Sequence, residues 1–430
     1  MQQIQLFLPC AAGVEDYLAA EVQRITGLPP AGILRQRGGV ALRTLWRDAM
    51  LLNLHSRLAQ RVLVLLSYTE YRSEQDLYRA ASEVAWEAWF TPRQSIKVEI
   101  TAQHSPLNSL NFAALKIKDA VCDRFRVKAA GVRPDVDTQS PDVRIYAHLT
   151  TDSCSLYIDT SGEPLFKRGW RQDKGEAPLK ETLAAAMLAA CGWMDGEGDL
   201  APLYDPCCGS GTIAIEAAQM ACNIAPGSLR HFAFEKYLPF QPHVWDAIRS
   251  EARGAQVLPE PGQQPIIFGS DVAHRMVDFA QRNAERAGVA DLIEFRGGDA
   301  LQRMPPCTTP GVMLLNPPYG ERIEVAGVAA SGRGREQAQM QGDGEFFSQL
   351  SAHWKKHYAG WSAWLLSPDL KLPGKMRLKE TRRVPMWNGP LECRLFRFDL
   401  VAGRMVERTA SEQAVSDPST KLGSDHRRRS

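Results

Sequence analysis

The sequence predicts an α/β protein, with a doubly wound sheet from Pro178 onward and a smaller α+β region before it. Two observations support this prediction. After Pro178, short apolar runs alternate with helical stretches, a pattern typical of parallel strands joined by crossover helices. In roughly the first 160 residues strands and helices also alternate, but the turn-like cluster Thr151–Ser153 indicates a hairpin. We interpret this first region as one or two small α+β units.

The N-terminal elements follow from the spacing of apolar residues. Helices are predicted where apolar residues recur about every three to four positions, and strands where short β-rich runs lie between turn residues. The predicted strands are Ile4–Leu8, Val40–Leu45, Arg61–Tyr68, Ser95–Ala102, Arg144–Leu149 and Ser155–Ile158. The predicted helices are Val14–Arg24, Arg47–Leu58, Glu74–Trp89 and Leu110–Arg126.

The C-terminal elements are predicted in the same way. A helix over Leu179–Ala190 is expected to carry Pro178 in its first turn, where a missing N–H is tolerated. The predicted strands are Leu200–Tyr204, Pro265–Gly269, Leu292–Phe295, Val312–Leu315, Ser362–Leu366 and Cys393–Leu400. The other predicted helices include Thr212–Cys222 and Ala273–Ala287, the latter capped by Gly288. The remaining segments are an insertion over 223–262, loops over 254–264 and 326–344, and a disordered basic tail over 406–430.

Composition excludes several classes of protein. Apolar residues make up 44% and charged residues 23% of the chain, and no apolar run approaches the roughly 18–20 residues of a membrane span. The nine cysteines are scattered without Cys-x-x-Cys spacing, which indicates reduced thiols in a cytoplasmic protein and neither a disulfide framework nor a metal site. The net charge of +2 does not by itself indicate nucleic acid, although residues 371–408 and 427–429 are rich in cations.

The most informative motif is Asn316-Pro317-Pro318-Tyr319, directly after the predicted strand Val312–Leu315. Open α/β sheets bind ligands at the carboxyl ends of their strands. The Asn316 side-chain oxygen and the Pro317 carbonyl can accept both hydrogens of an exocyclic amine, and the Tyr319 ring can cover a flipped-out base. We therefore expect Asn316, Pro317 and Tyr319 to act in catalysis, and Pro318 and Tyr319 to bind the substrate.

A second motif, Asp205–Thr212 (DPCCGSGT), lies between a predicted strand and a predicted helix. Its glycines let a ligand approach the backbone, and the helix start offers free N–H groups. The motif lacks the Gly-Lys-Ser/Thr of a P-loop and the third glycine of a dinucleotide fingerprint. An acid here would repel a pyrophosphate but attract an ammonium group, which favours S-adenosylmethionine (SAM) over NAD. The candidate SAM-binding residues are Asp205, Pro206, Cys207, Gly209, Ser210, Gly211 and Thr212.

Further polar residues follow the next predicted strands. A nucleoside cofactor needs an acid after the second strand to accept hydrogen bonds from its ribose, and Asp271 and Glu235 compete for this role. Glu235 has the more usual spacing, but Asp271 ends a clear strand and precedes a helix, so we assign the ribose to Asp271. Asp299 follows the third strand and is expected to bind the adenine amine. Asn316 completes the SAM site after the fourth strand.

The segment 162–176 joins the two regions and interleaves aromatic and cationic side chains. One interpretation is a solvated connector. The other is a strip beside the active site whose cations contact RNA phosphates while its aromatic rings stack on bases. On the second interpretation, Lys167, Arg168 and Arg171 bind the substrate.

Together the motifs resemble those of class I SAM-dependent methyltransferases that modify exocyclic amines of nucleic-acid bases. DPCCGSGT (205–212) and NPPYGER (316–322) carry this resemblance. PLKETLAAAML (178–188) and KRGWR (167–171) are similar to motifs of the THUMP-domain RNA methyltransferases. Over roughly residues 1–405 the chain resembles the bacterial guanine-N2 methyltransferases of 23S ribosomal RNA, the RlmL type.

The resemblance implies a Rossmann-like methyltransferase domain that uses SAM and acts on 23S rRNA or a large-subunit precursor. Some relatives are fused to a second methyltransferase, and because this sequence stops at Ser430 we expect that second activity to be absent. We also expect a cytoplasmic monomer with no membrane or metal partner. The predicted units are a ferredoxin-like unit (1–45), a THUMP RNA-binding domain (46–160), a linker (161–177), the methyltransferase domain (178–405) and the tail (406–430).

Three alternatives stay open at this point. An adenine-N6 DNA or RNA methyltransferase would use the same strand end with a different target-recognition domain. A non-catalytic RNA-binding ribosome assembly factor would share the N-terminal domains, but the intact Asp205, Gly209, Gly211 and Asn316 argue against it. An NAD-dependent dehydrogenase is disfavoured by the acid at Asp205.

Overall fold

The structure is a computed structural model that describes residues 3–175, 178–195, 199–257, 259, 264–317 and 342–401, the side chains of 342–344 excepted. Within these ranges, two seven-stranded sheets form the two halves of the chain. The predictions made for Pro318 and Tyr319, for most of the 326–344 loop and for the basic tail lie outside the described residues.

The N-terminal half is an α+β unit built on one sheet. Its strands are β1 (Ile4–Pro9), β2 (Ile33–Gln36), β3 (Gly39–Thr44), β4 (Leu63–Glu70), β5 (Ile96–Ala102), β6 (Val143–Leu149) and β7 (Ser153–Asp159). Its helices are α1 (Glu15–Thr26), α2 (Trp46–His55), α3 (Glu74–Glu83) and α4 (Leu110–Lys128). The strands lie in the order β2-β3-β1-β4-β7-β6-β5, and all pairs except β5 and β6 are antiparallel.

Strand β4 joins the two ends of this half into one continuous sheet. On one side Val64 of β4 lies opposite Leu6 of β1, and on the other it lies opposite Ile158 of β7. The side chains of these three residues are all buried. The predicted α+β architecture is therefore confirmed, in the form of a single sheet.

Two details of this half differ from the predictions. Strand β2 was not predicted, because its short sequence is mostly exposed and shows little apolar pattern. The helix predicted over Glu74–Trp89 ends at Glu83, since the chain becomes extended at Val84 and turns again at Trp86–Ala88. This break lets the Trp86 indole lie in the core while its Nε1 donates a 2.7 Å hydrogen bond to the Ala81 carbonyl.

The C-terminal half is a doubly wound sheet, as the sequence predicts. Its strands are β8 (Leu203–Asp205), β9 (Ile267–Asp271), β10 (Ile293–Gly297), β11 (Val312–Leu315), β12 (Ser362–Ser367), β13 (Arg382–Asn388) and β14 (Leu391–Asp399). Its helices are α5 (Glu181–Cys191), α6 (Thr212–Ala221), α7 (Pro242–Gly254), α8 (His274–Arg286), α9 (Gly342–His357) and α10 (Leu372–Met376). The strand order is β10-β9-β8-β11-β12-β14-β13.

Strand β8 lies at the point where this order reverses. It pairs in parallel with β9 and with β11, so that Leu203 lies opposite both Ile267 and Val312. Strand β14 is antiparallel to its neighbours β12 and β13. Open α/β sheets bind ligands outside the carboxyl ends of the strands at such a reversal.

Other details of the C-terminal half also differ from the predictions. Strand β13 was not predicted, because its alternation of cationic and apolar residues lies in the cation-rich segment. Helix α5 begins at Glu181, so Pro178 precedes it instead of occupying its first turn. The reason is local: Arg171 Nη2 donates a 3.0 Å hydrogen bond to the Leu179 carbonyl, just before the helix starts.

The segment predicted as an insertion, 223–262, packs against the N-terminal half. The Phe234 ring meets Trp46 and Trp245 edge-on, at centroid distances of 6.5 and 5.0 Å. Tyr237 donates a 2.5 Å hydrogen bond to the carbonyl of Asp159 at the end of β7. The insertion therefore forms part of the contact between the two halves.

A buried cluster of three charged side chains also joins the halves. Glu216 on α6 is fully buried and binds Arg57, which follows α2, and Arg168 of the linker, each with a shortest distance of 3.0 Å. Burial alone would raise the pKa of Glu216, but the two guanidinium groups lower it. The carboxylate is therefore ionised at neutral pH and holds both cations in place.

Two further observations concern the whole described chain. All nine cysteines are free thiols. Of the helices in the described ranges, none combines the length and the hydropathy needed to cross a membrane.

Candidate active site

Four adjacent strands bring their carboxyl ends to the same edge of the C-terminal sheet. Strand β8 ends at Asp205 and β9 at Asp271, whereas Asp299 lies two residues beyond β10 and Asn316 one residue beyond β11. Because β10, β9, β8 and β11 are neighbouring parallel strands, these polar residues share one edge. The structure thus brings together the row of polar residues expected from the sequence.

The loop between β8 and α6 has the backbone shape that its glycines permit. Gly209 and Gly211 have φ angles of 53° and 85°, in the left-handed region that favours glycine. A side chain at Gly211 would contact Ala280 Cβ at 3.0 Å, so this glycine lets the loop pack closely on α8. A Cβ at Gly209 would meet open space, so a ligand has room to approach the backbone there.

Hydrogen bonds hold this loop against the ends of β9 and β10. Gly209 N donates to Asp271 Oδ2 at 2.9 Å, and Cys208 N donates to the Ser270 carbonyl at 2.9 Å. The Asp271 carbonyl in turn accepts a 2.9 Å hydrogen bond from Gly298 N. Asp271 is therefore next to the glycine loop, and its other carboxylate oxygen, Oδ1, accepts a 2.9 Å hydrogen bond from Ala273 N at the start of α8.

Asp205 is buried, which disfavours the ionised form of its carboxyl group. It is 2% exposed, and this burial raises the pKa of its carboxyl group to about 8, with the charge of Asp271 acting in the same direction. A 3.0 Å hydrogen bond from Cys207 N to Oδ1 offsets the effect only in part. In the free protein the group is mostly protonated at pH 7, and a bound cation would stabilise its ionised form.

The two cysteines of the loop are poor nucleophiles. Burial raises the pKa of the Cys207 and Cys208 thiols well above the usual range, and the nearby carboxylates add to this effect. Because the thiolate is the reactive form, both side chains are inert at neutral pH. The loop is suited to binding and not to covalent catalysis through sulfur.

Asn316 carries a polar atom without a partner. Its Oδ1 is buried and accepts no hydrogen bond from any residue that the structure describes. An unpaired buried acceptor costs about 1–3 kcal/mol. Other described side chains, such as Trp46 and Gln219, also carry a buried polar atom without a partner, but Asn316 differs from them in lying at the strand ends beside the glycine loop. A ligand that donates an N–H to Oδ1 would remove this cost. Pro317, the next residue, is buried beside it.

Asp299 and Glu235 have different surroundings. Asp299 is half-buried and accepts a 2.9 Å hydrogen bond from Leu301 N, in the turn after β10. Glu235 accepts a 2.8 Å hydrogen bond from Phe232 N, in a short helical turn next to Phe234, whose N–H binds the Thr160 carbonyl. Glu235 thus belongs to the contact with the N-terminal half, whereas Asp271 lies at the strand ends.

The linker cations have three different environments. Lys167 is exposed and pairs with Glu163. Arg168 is 1% exposed, and its guanidinium binds Glu216 together with the carbonyls of Leu165 and Arg57. The expectation that Arg168 contacts RNA is therefore corrected: it is buried in the contact between the halves, with no surface left for a substrate.

Arg171 contacts the glycine loop directly. Nη1 donates to Ser210 Oγ at 3.1 Å and Nη2 to Thr212 Oγ1 at 2.7 Å, while Nε binds Glu181 at 2.7 Å. Arg171 is half-buried, and its donors are directed at the SAM-binding candidates instead of at solvent. The linker therefore supports the loop through the Arg171 side chain.

Sequence reasoning missed a second support of the loop, Asn283. This fully buried side chain donates from Nδ2 to the Ser210 carbonyl at 3.1 Å and to the Asp173 carbonyl at 2.8 Å. A signal was present in the sequence, because Asn283 lies between Ala280 and Ala284 on the apolar face of α8. A polar residue on a buried helix face indicates a specific partner.

The fold and this edge define the class of the C-terminal half: a Rossmann-like domain of the class I methyltransferase type. A family model described as the RMKL-like methyltransferase domain matches residues 168–397. The chain belongs to this family. Models of the RlmL ferredoxin-like domain and of the THUMP domain match residues 5–63 and 71–159, so both precede the methyltransferase domain.

The similar curated proteins include two that are named ribosomal RNA large subunit methyltransferase K/L. The protein of Shewanella amazonensis is 38% identical over 388 residues, and that of Psychromonas ingrahamii is 35% identical over 394 residues. These matches cover 90% and 91% of this chain but 52% and 49% of the two relatives. The chain thus spans about half the length of these relatives.

Solved structures share the whole architecture. SMU.472, described as a candidate methyltransferase and solved in complex with SAH, has a TM-score of 0.77 and 26% identity, covering 94% of this chain and 99% of that one. A protein from Listeria monocytogenes, described as a predicted N6-adenine-specific DNA methylase, has a TM-score of 0.77 and 28% identity over 93% and 96% of the two chains.

In the described part of the chain, no three His, Cys, Asp or Glu residues come together in a way that could hold a metal ion.

Proposed function

We propose that this protein is a SAM-dependent RNA methyltransferase that modifies the exocyclic N2 amine of a guanine in 23S rRNA or a large-subunit precursor. The observation that carries the proposal is Asn316 Oδ1, a buried acceptor without a described partner at the end of β11. Strand β11 is the direct neighbour of β8, whose end begins the glycine loop. An amine donor and a methyl donor would therefore meet at one edge.

The described residues fit SAM, and their proposed roles follow their positions. Asp205 would pair with the ammonium of the methionine moiety, and Asp271 and Asp299 would accept hydrogen bonds from the ribose and the adenine amine. Each oxygen of Asp271 already accepts one backbone hydrogen bond, so the ribose would use a remaining lone pair. The open space at Gly209 leaves room for the ligand beside the loop, with Pro206, Cys207, Ser210, Gly211 and Thr212 forming the rest of its wall. When bound, SAM would supply an electrophilic methyl group.

The proposed mechanism is direct transfer of this methyl group to nitrogen. The lone pair of the guanine N2 amine is delocalised into the ring, so the amine is a weak nucleophile. Asn316 Oδ1 and the Pro317 carbonyl would accept its two hydrogens, orient the nitrogen toward the methyl carbon and stabilise the positive charge that develops. The proton leaves to water after transfer. Pro318 and Tyr319, outside the described residues, would hold and stack on the base.

Three points support RNA as the substrate. The relatives named above are ribosomal RNA methyltransferases, the THUMP model matches residues 71–159, and the linker joins this region directly to the glycine loop. In this proposal the protein acts in the cytoplasm and is a monomer. Lys167 and the cationic residues of 371–408 would contact the RNA. The unit boundaries predicted at residues 45, 160, 177 and 405 belong to the proposal as well.

A second candidate is methylation of an adenine N6 amine. It is favoured by the likeness to the Listeria protein that is described as a predicted N6-adenine-specific DNA methylase. An acceptor pair at Asn316 and Pro317 would bind either amine equally well. The N-terminal half and the curated relatives favour rRNA and therefore the first candidate.

One experiment separates the candidates. The purified protein is incubated with labelled SAM and, in parallel, with 23S rRNA, a large-subunit precursor particle or duplex DNA, and modified nucleosides are identified by mass spectrometry. Label in N2-methylguanosine from RNA is the expected result. Label only in N6-methyladenine would favour the second candidate, and SAM binding without any transfer would favour a non-catalytic assembly factor.

A further inference from the structure

A cavity of about 510 Å³ lies beside the glycine loop, on the linker side. Its wall comes from three segments: the linker over residues 163–174, the start of α5 over 178–181, and residues 230–231 of the insertion. Arg171 belongs to this wall and also binds Ser210 and Thr212. Arg171 therefore connects the wall of the cavity to the loop of the proposed SAM site.

Close contacts hold the wall of this cavity together. Gly169 has a φ of 103°, and a Cβ at this position would lie 2.9 Å from the Leu229 carbonyl oxygen, so glycine lets the linker approach the insertion. From the other side, Arg230 donates from Nη1 to the carbonyls of Pro164 and Lys167 at 2.8 and 3.1 Å. The arrangement of the wall is thus fixed by the fold.

The cavity carries uncompensated positive charge. Lys174 and Lys180 are exposed on its wall, and neither forms an ion pair with a carboxylate that the structure describes. The hydrogen-bond partners of the Arg230 guanidinium are backbone carbonyls. The wall also contains two acids, but Glu163 is paired with Lys167 and Arg144, and Glu181 with Arg171.

Arg230 remains a cation despite its surroundings. Burial and the charge of Arg168 lower the pKa of its guanidinium to about 10, which still leaves it protonated at neutral pH. Helix α5 begins at the same wall and directs its positive dipole end there. These sources of charge converge on a single cavity, which favours an anionic ligand.

Size and lining narrow the class of anion. A volume of about 510 Å³ lies within the range of roughly 300–1,000 Å³ that is typical of small-ligand sites and is large enough for one nucleotide. Phe166 contributes a half-buried aromatic ring, with Lys180 Nζ 5.1 Å from its centroid. Cations beside an aromatic ring are the combination with which proteins bind single-stranded nucleic acid.

We propose that this cavity binds a nucleotide of the RNA substrate that flanks the methylated base, with Lys174 and Lys180 facing its phosphates. Arg230, whose Nη atoms are bound to backbone carbonyls, adds positive charge to the wall without contacting the ligand. The inference rests on the proposed function and adds a specific contact site to it. A base extruded toward Asn316 needs its neighbouring backbone held nearby. In this proposal the cavity holds that backbone: Arg171 connects its wall to the glycine loop, which follows β8, and β8 is the neighbour of β11, after which Asn316 lies.

The test compares RNA binding by the full-length wild type and by the double variant Lys174→Ala/Lys180→Ala, using a fluorescent 23S rRNA fragment at several salt concentrations. We expect the dissociation constant of the variant to rise about 10-fold. The magnitude of its salt slope should fall by about 1.4, because roughly 0.7 is lost for each of the two contacts to a single-stranded phosphate. The matched control is Lys356→Ala, which removes an exposed lysine on α9 outside the cavity.

Calorimetry with SAH on the same proteins separates this site from the SAM site. The double variant should bind SAH as tightly as wild type, since neither lysine contacts the glycine loop in the described structure. Unchanged RNA affinity and salt slope in the double variant, in a preparation whose wild type methylates rRNA, would overturn the cavity proposal alone. A wild type that binds no RNA would overturn this proposal together with the proposed function.

Discussion

Arg171 Nη2 lies 2.7 Å from Thr212 Oγ1, so the linker that follows the N-terminal half is hydrogen-bonded to the first residue of α6. Nη1 extends the contact to Ser210, and Glu181 fixes the guanidinium through Nε. The shape of the glycine loop therefore depends on a residue 41 positions earlier in the chain.

Replacing Arg171 by lysine should weaken cofactor binding. A lysine ammonium cannot reproduce the planar fork that reaches Ser210, Thr212 and Glu181 at once. We expect the dissociation constant for SAH to rise about 10-fold, as measured by calorimetry, for the loss of about one hydrogen bond to a charged group. Arg282→Lys is the control, because Arg282 pairs with Asp173 nearby. Equal SAH affinity in the two variants would contradict a role of Arg171 in the loop.

Asn316→Ala should impair methyl transfer much more than SAM binding. Removing an acceptor that is used mainly in the transition state costs on the order of 10²–10³-fold in rate, by analogy with oxyanion-hole donors. Single-turnover transfer to rRNA and SAH calorimetry measure the two effects separately. Asn316→Asp keeps an acceptor oxygen and should lose less activity. Near-normal methylation by Asn316→Ala would remove Asn316 from the mechanism.

Asp271→Ala and Glu235→Ala test the assignment of the ribose contact. Asp271 lies at the end of β9 and binds Gly209 N, whereas Glu235 binds Phe232 N in the contact between the halves. We expect SAH affinity to fall about 10-fold or more in Asp271→Ala, by loss of a charged acceptor, and to stay unchanged in Glu235→Ala. The reverse pattern would transfer the ribose to Glu235.

Asp205→Asn should stabilise the fold while weakening SAM binding. The folded-state pKa of Asp205 is raised from 3.8 to about 8, so between these values the unfolded chain is ionised and the folded chain is not. Stability is therefore lost as pH rises through this window, and asparagine avoids the loss. We expect a gain of about 1–3 kcal/mol at pH 8 and a smaller one at pH 5, read from urea unfolding. A gain that does not depend on pH would contradict the titration of Asp205.

Glu216→Gln should destabilise the contact between the two halves. Without the carboxylate, the buried guanidinium groups of Arg57 and Arg168 lose their countercharge. We expect a loss of about 3–5 kcal/mol in urea unfolding, as for other broken buried ion pairs. The exposed Glu163→Gln, which also faces two cations, should change stability by less than about 1 kcal/mol. A similar small change in Glu216→Gln would show that the buried cluster contributes little.

The sequence predicted the doubly wound sheet and the polar residues at its edge, because these follow from local patterns. An apolar run ends at Phe268, three residues before Asp271, and another ends at Leu315, directly before Asn316; two glycines after Asp205 require a tight turn. The roles of these residues toward a ligand stay predictions. What the sequence did not reveal are the long-range pairs, since Arg168 binds a carboxylate 48 residues away. A buried arginine and an RNA-binding arginine look alike in a linker sequence.

The buried cluster of Arg57, Arg168 and Glu216 has a consequence for how far the halves are interchangeable. In a chimaera that joins this methyltransferase half to the N-terminal half of a distant relative, the contact between the halves would be stable only if the relative has a cationic residue at the position of Arg57. Otherwise the buried Glu216 carboxylate and the Ile224 carbonyl would each lose the hydrogen bond that Arg57 donates. An exchange of halves between relatives therefore requires that Arg57, Arg168 and Glu216 be inherited together.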